Sequence, residues 1–167
     1  MKASLKELMN FIPQVGKVEW IGLRPAKVPN LTNAPLLVVD QVAVSLDNGL
    51  EGDRYHGKSK KRQVTLIQKE HLEVVAKFLG KGHIDPSLTR RNIVISGINL
   101  LALKQQQFQI GEVILETTGD CHPCSRMETN LGAGGYNAMR GHGGITARVI
   151  KDGKIQIGDT VKIMLST

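Results

Sequence analysis

Short runs of β-branched and aliphatic residues, each cut off after a few positions by glycine, proline or an Asp-Asn pair, recur along most of this chain. Runs of that length make single strands, and strands so short bury an apolar face only when several close into a barrel or sandwich. They are Lys17 to Leu23, stopped by Pro25; Leu37 to Val39 and Val42 to Val44, closed by the turn signal Asp47-Asn48-Gly49; Val64 to Ile67; Asn92 to Ser96, closed by Gly97; Phe108 to Gly111 and Val113 to Thr117; then Ile145 to Ile150, Ile155 to Asp159 and Thr160 to Leu165. Lys151-Asp152-Gly153-Lys154 reads as a hairpin turn. Helical patterning is sparse. Ser4-x-x-Glu7 is a capping box ahead of Leu5, Leu8, Met9 and Phe11, which predicts a packing helix ending before Pro13. Lys69 to Leu79 sets Leu72, Val74, Val75, Phe78 and Leu79 on one face and ends at Gly80-Lys81-Gly82. His71 and His83 read as exposed. The expectation is a mostly β fold with a few short helices, closed as a barrel, in one domain over residues 1–167 with a helical extension at 1–14.

The formal net charge of +7 calls for an anionic partner: a phosphorylated substrate, the phosphate of a cofactor, or nucleic acid. With one Trp, two Tyr and three Phe the chain has little to stack on bases, so nucleic acid is the least favoured of these. No apolar run approaches the ~18 residues that cross a bilayer, and Met1 to Glu7 lacks a signal-peptide core. No membrane partner is expected. Two cysteines three positions apart are a poor secreted disulfide framework, which points to a reducing cytoplasm.

Both cysteines lie in Thr118-Gly119-Asp120-Cys121-His122-Pro123-Cys124-Ser125-Arg126-Met127, between the strand-like run ending at Thr117 and a helical turn over Arg126 to Leu131. A soft nucleophile at a strand end, in a loop stiffened by Pro123 and next to the Arg126 cation, suits chemistry: thiolates ligate soft metals and accept sulfur. The bland alternative is a pair of small buried apolar residues. A zinc site with His122 or His142 would lack a second cysteine pair, and thioredoxin-like motifs come early in a βαβ pattern rather than late in a β-rich chain.

Gly52-Asp53-Arg54-Tyr55-His56-Gly57-Lys58-Ser59 fits the phosphate-cradling pattern G-x-x-x-x-G-K-[ST]. That motif opens a helix, whereas Lys60-Lys61-Arg62-Gln63 leads into β-branched Val64-Thr65. A basic loop that touches some other phosphate is the better reading, with Lys60 and Lys61 on a solvated face. Gly132 to Gly135 and Gly141 to Gly144 enclose Tyr136 to Arg140, and such glycine density implies close backbone approach to something.

Four stretches, in order, make the chain resemble the MOSC family, the domain found at the C-terminus of molybdenum cofactor sulfurases and as small stand-alone bacterial proteins. They are Gly52-Asp53 with His56-Gly57 and Arg62 to Leu66; Arg90-Arg91-Asn92-Ile93-Val94; Gly119 to Met127; and Gly143 to Val149 with Gly158-Asp159. The resemblance implies a MOSC-type β-barrel, a key cysteine and a molybdenum cofactor, molybdopterin. The cysteine falls on Cys124 as molybdenum ligand, with Cys121 an extra thiol at the same catalytic loop. Arg90 or Arg91 with Asn92, and Arg54 or Arg62, match the positions expected to hold the pterin phosphate; His56, Arg126 and Arg148 are further cofactor-binding candidates. It implies reduction of N-hydroxylated compounds with electrons from an external donor protein, because no flavin, haem or iron–sulfur motif is visible. The alternative is a sulfur carrier holding a persulfide on Cys124 for metal–sulfur cluster or cofactor assembly, with a separate cysteine desulfurase as partner and Cys121 resolving the persulfide. A third reading, outside the resemblance, is a basic barrel that binds RNA or a nucleotide.

Overall fold

The runs read as strands do form strands. In the computed structural model, which describes residues 1–31 and 33–165, the elements in order are α1 (Leu5–Asn10), β1 (Gly16–Leu23), β2 (Leu37–Val39), β3 (Gln41–Ser45), β4 (Gly49–Leu50), β5 (Val64–Gln68), α2 (Lys69–Phe78), β6 (Ile93–Ser96), β7 (Gln107–Ile110), β8 (Val113–Asp120), α3 (Ser125–Leu131), α4 (Gly135–Met139), β9 (Ile145–Lys151), β10 (Gly153–Gln156) and β11 (Thr160–Met164). Single 3-10 turns lie at Pro86–Thr89 and Leu100–Leu103.

Seven strands close a barrel in the order β1-β11-β7-β8-β9-β5-β6, with β2 added beside β1. Every ladder of the barrel is antiparallel except β5–β6, which α2 connects as a crossover. The period of two in the sequence puts one face of most strands inside: Val64 and Leu66, Ile93 and Ile95, Phe108 and Ile110, Val113 and Leu115, Ala147 and Val149 all belong to one apolar core, which Val18 and Ile21 of the irregular β1 join. A small sheet, β10-β3-β4, extends that core with Val42, Val44, Leu50 and Ile155. A second apolar cluster lies outside the wall, where Ile67 and Val94 meet α2 (Leu72, Val75, Ala76), α3 (Met127, Leu131) and α4 (Ala138, Met139). Among the described residues no helix is long and apolar enough to cross a membrane.

Four expectations need correction. Lys151 to Lys154 is no hairpin: β9 stays in the barrel on β8, whereas β10 pairs with β3, and the Asp152 carboxylate accepts the Leu46 amide at 2.6 Å. An Asp-Gly signal fixes a change of direction and says nothing of which strand comes next. The capping box of α1 forms as read, with Glu7 N–H donating to Ser4 Oγ at 3.2 Å and Ser4 N–H to Glu7 Oε2 at 2.6 Å, yet Leu5, Leu8, Met9 and Phe11 are all exposed. Capping is local and packing is not; only Ile12 reaches the core. Phe78 is exposed at the end of α2, because Ala76 rather than Phe78 faces the wall. His71 is half-buried, its ring edge-on to that of His142 with centroids 5.1 Å apart, so burial and the neighbouring imidazole hold it below the ordinary histidine value despite Glu70.

Candidate functional site

The cysteine loop is held in place by one buried arginine. Arg91 enters β6 from a 3-10 turn, and its guanidinium faces backbone carbonyls throughout: Nε donates to Gly143 O at 2.9 Å, Nη1 to Thr89 O at 2.8 Å, and Nη2 to Cys121 O at 2.8 Å and His122 O at 3.3 Å. Three segments distant in sequence are thereby tied together. Burial holds Arg91 below the ordinary guanidinium value, although the sulfurs of Cys121 and Cys124 oppose that shift. The Cys121 N–H donates to Gly144 O at 2.9 Å. The glycines before β9 make the close backbone approach that their density in the sequence implied. A Cβ on Gly143 would lie less than 3.0 Å from Cys121 O, and one on Gly144, whose φ is +87°, less than 3.0 Å from Leu66 O, closer than real Cβ atoms come.

Asn92, next in the chain, is fully buried with its amide saturated. Its Nδ2 donates to Gly22 O at 3.0 Å and Asp53 Oδ1 at 3.2 Å, and its Oδ1 accepts from Thr65 N and Oγ1 at 3.1 and 3.0 Å. Arg91 and Asn92, expected among the cofactor contacts, are buried, and every nitrogen of the Arg91 guanidinium and both polar atoms of the Asn92 amide already have protein partners.

Asp53 is the other anchor, and neither it nor its partner Arg24 stood among the candidates drawn from the sequence. Arg24 follows β1 and donates to the buried Asp53 carboxylate three times, from N at 2.7 Å, Nε at 3.1 Å and Nη2 at 2.7 Å. Burial pushes the Asp53 carboxyl up, and the hydrogen bonds and charge of Arg24 with the Tyr55 amide pull it down further, so that it lies below its ordinary value. Gly52-Asp53 stood in the resembling motif and could have flagged the acid. Arg24 carries no such signal: it is one basic residue before Pro25.

Both cysteines are free thiols: Cys121 is buried at 3% exposure, and Cys124, the residue that caps α3, is exposed. Arg62, itself exposed, brings Nη2 within 3.7 Å of Cys121 Sγ, and Thr118 Oγ1 donates to Lys61 O, joining the basic loop to the end of β8. Arg90 has a left-handed backbone, with φ at 63°, and is buried. Its Nη1 donates to Ala34 O, while Nε and Nη2 are buried without a partner. Burial first, then the charges of Arg54, Arg126 and Arg24, depress its basicity. The positive charges of Arg24, Arg54 and Arg126 are thus all felt at Arg90, two of whose donors are unsatisfied. Arg24, Arg54 and His56 line an open cleft of about 600 Å³ together with Lys27 and Tyr55.

Arg148 does not join them. It lies exposed on β9, with Nε donating to Glu116 Oε1 at 2.9 Å and Nη2 at 2.5 Å across the β8–β9 ladder. The strand alternation that buries Ala147 and Val149 turns it outward. The segment Gly52 to Ser59 runs as an irregular loop toward β5 and opens no helix, as its downstream residues suggested.

An exposed thiol, an arginine with orphaned donors and surrounding cations suit a soft metal borne by an anionic ligand, so the residues present fit a molybdenum–pterin phosphate group. A family model described as MOSC domain matches residues 52–162. Among solved structures, the YuaD protein of Bacillus subtilis is 17% identical over 92% of this chain and 98% of its own, with a TM-score of 0.75. YiiM of Geobacillus stearothermophilus is 16% identical, covering 90% of this chain and 75% of its own at a TM-score of 0.73. YiiM of Escherichia coli is 17% identical, covering 90% and 71% at 0.65. No curated protein matches the chain in sequence.

Proposed function

Because the chain belongs to the MOSC domain family, which is associated with molybdenum cofactor binding, we propose that it binds that cofactor and reduces N-hydroxylated or similar compounds with electrons from a separate donor protein. The observation that carries this reading is the buried Arg90, two of whose guanidinium nitrogens lack partners and whose basicity burial and the charges of Arg54, Arg126 and Arg24 lower, with Arg126 only two residues along α3 from the exposed thiol of Cys124. Buried donors without partners are costly, and an anion's oxygens satisfy them.

In this reading Cys124 is the metal ligand, and Arg90 with Arg54 and Arg126 holds the phosphate. The cofactor, when bound, supplies two-electron redox chemistry at the metal. The protein's own share is positional: Arg91 fixes the loop that carries Cys124, the Arg24–Asp53 pair fixes the wall of the basic cleft, and Arg62 stands at the buried Cys121. His56 and Tyr55 line the cleft where a small substrate would approach.

The test is metal and pterin analysis of protein made in a cofactor-competent host. The reading expects molybdenum and pterin that are lost from Cys124→Ser, and pterin that is weakened by Arg90→Met. Metal-free protein bearing a labile sulfane sulfur on Cys124 would instead favour a sulfur carrier served by a cysteine desulfurase. Salt-sensitive RNA binding that depends on Arg62 and ignores both cysteines would favour the third reading.

A further inference from the structure

A groove on the outer wall of the barrel, sharing no residue with the cysteine-loop site, is built around a misalignment in β1. The β1–β6 ladder shifts register between Val18 and Trp20, so that Val18 and Ile21 both point inward and Glu19 and Trp20 both point outward. Strict alternation would have buried residue 20; the bulge re-aims it. The Trp20 ring then lies over Gly22, where a Cβ would meet Cη2 at less than 3.0 Å, and makes one wall of a groove of about 590 Å³ beneath α2. Leu72, Ala76, Ile84 and Val94 make the apolar remainder. A volume of that order suits a small organic molecule.

The rim gives the charge. Lys69, Glu73 and Lys77 follow one another at single-turn spacing along α2 and line the groove, and none of the three has an ion-pair partner among the described residues. Lys81 is tied to Leu131 O at 2.6 Å, and Glu19 Oε1 accepts from Ser96 Oγ at 2.7 Å. Lys69, Lys77 and Lys81 thus set three ammonium groups against the two carboxylates of Glu19 and Glu73 around an apolar floor with a tryptophan face, a lining whose excess positive charge suits one negative charge and whose carboxylates oppose a second. We propose that this groove binds a small planar monoanion, an aromatic carboxylate or sulfonate, with its ring against Trp20 and its charge between Lys69 and Lys77.

Trp20 is the only tryptophan, so its indole N–H gives one resonance in an amide-correlation NMR spectrum and reports on the groove alone. Titration with naphthalenesulfonate should move that resonance saturably, together with the amides of Ala76 and Ile84, and the neutral naphthalenemethanol should bind about fivefold more weakly, the worth of a surface charge contact. The double variant Lys69→Glu/Lys77→Glu, altered only at exposed or half-exposed positions, should weaken the sulfonate about tenfold and leave the neutral compound unchanged. The proposal is overturned if the Trp20 resonance does not shift saturably, if the neutral compound binds as well as the sulfonate, or if the reversed charges make no difference while the rest of the spectrum is preserved.

Discussion

Replacing Asp53 by Asn tests the anchor on which the basic cleft rests. The Asp53 side chain is 1% exposed and that of Arg24 15%. Asparagine keeps the shape and one acceptor, so the bonds from Arg24 N and Asn92 Nδ2 survive, but its NH2 would face the Arg24 Nη2 that now lies 2.7 Å from Oδ2. Removing one partner of a buried pair costs about 3–5 kcal/mol, and because Arg24 can recover some water the lower end, about 3 kcal/mol, applies. For a domain of this size that corresponds to a fall in Tm of roughly 6–12 °C. Urea denaturation of wild type, Asp53→Asn, Arg24→Gln and the double variant reads it, with a coupling of about 2 kcal/mol expected between the two sites. The pH dependence has a fixed sign. The folded carboxyl lies below its unfolded value of 3.8, so its stabilisation is fully present above that value and is lost as pH falls through the folded one. The wild-type advantage should persist at neutral pH and shrink only in acid. A loss under about 1 kcal/mol, or additivity within about 0.5 kcal/mol, would refute the view that this pair holds the cleft.

Three further outcomes follow from the site. In the native protein a disulfide-exchange reagent should titrate one of the two thiols, Cys124, and reach Cys121 only in denaturant, read by absorbance in wild type and Cys124→Ser. Arg91→Lys cannot serve four carbonyls, so it should cost about 2–3 kcal/mol in urea melts and make Cys121 reactive in the folded state. Gly144→Ala drives a methyl into Leu66 O on a left-handed backbone; a loss above about 3 kcal/mol, or no soluble protein at all, is expected, and a near-native melting temperature would contradict the close approach described.

Much of the wall was legible because strand burial writes itself into the sequence as alternation. Phe108 to Ile110 and Val113 to Thr117 announced their strands, and their buried and less buried positions alternate as the apolar and polar residues do, whereas β5, read as a strand from Val64 to Ile67, is buried on both faces. The cysteine loop was legible for a different reason: both cysteines of the chain fall in it, and helix α3 begins at Ser125, one residue before the turn expected from Arg126. What escaped was long-range. Arg24 and Asp53 are 29 positions apart, and nothing local marks either as half of an ion pair. Arg91 and Asn92 look like neighbouring Arg90, yet the left-handed turn at Arg90 sends their side chains into carbonyls and amides while leaving Arg90 short of partners. The apolar stripe of α1 resembled that of α2, and only tertiary contact separates a packed stripe from an exposed one. The bulge at Glu19 was invisible for a similar cause, since inserting one residue into a ladder depends on the partner strand.

The ladder between β1 and β11 pairs only Gly16 with Val161 and Lys17 with Thr160, whereas β8 and β9 pair at six positions. The cylinder is thus a cuff with a clasp, fastened where an early strand meets the last one and reinforced there by two backbone bonds, from Val18 N to Asp159 O and from Gly158 N to Val18 O, each 2.9 Å long. A tug along the chain would undo the clasp first, leaving the thiol-bearing seam buttoned on the far panels of the garment.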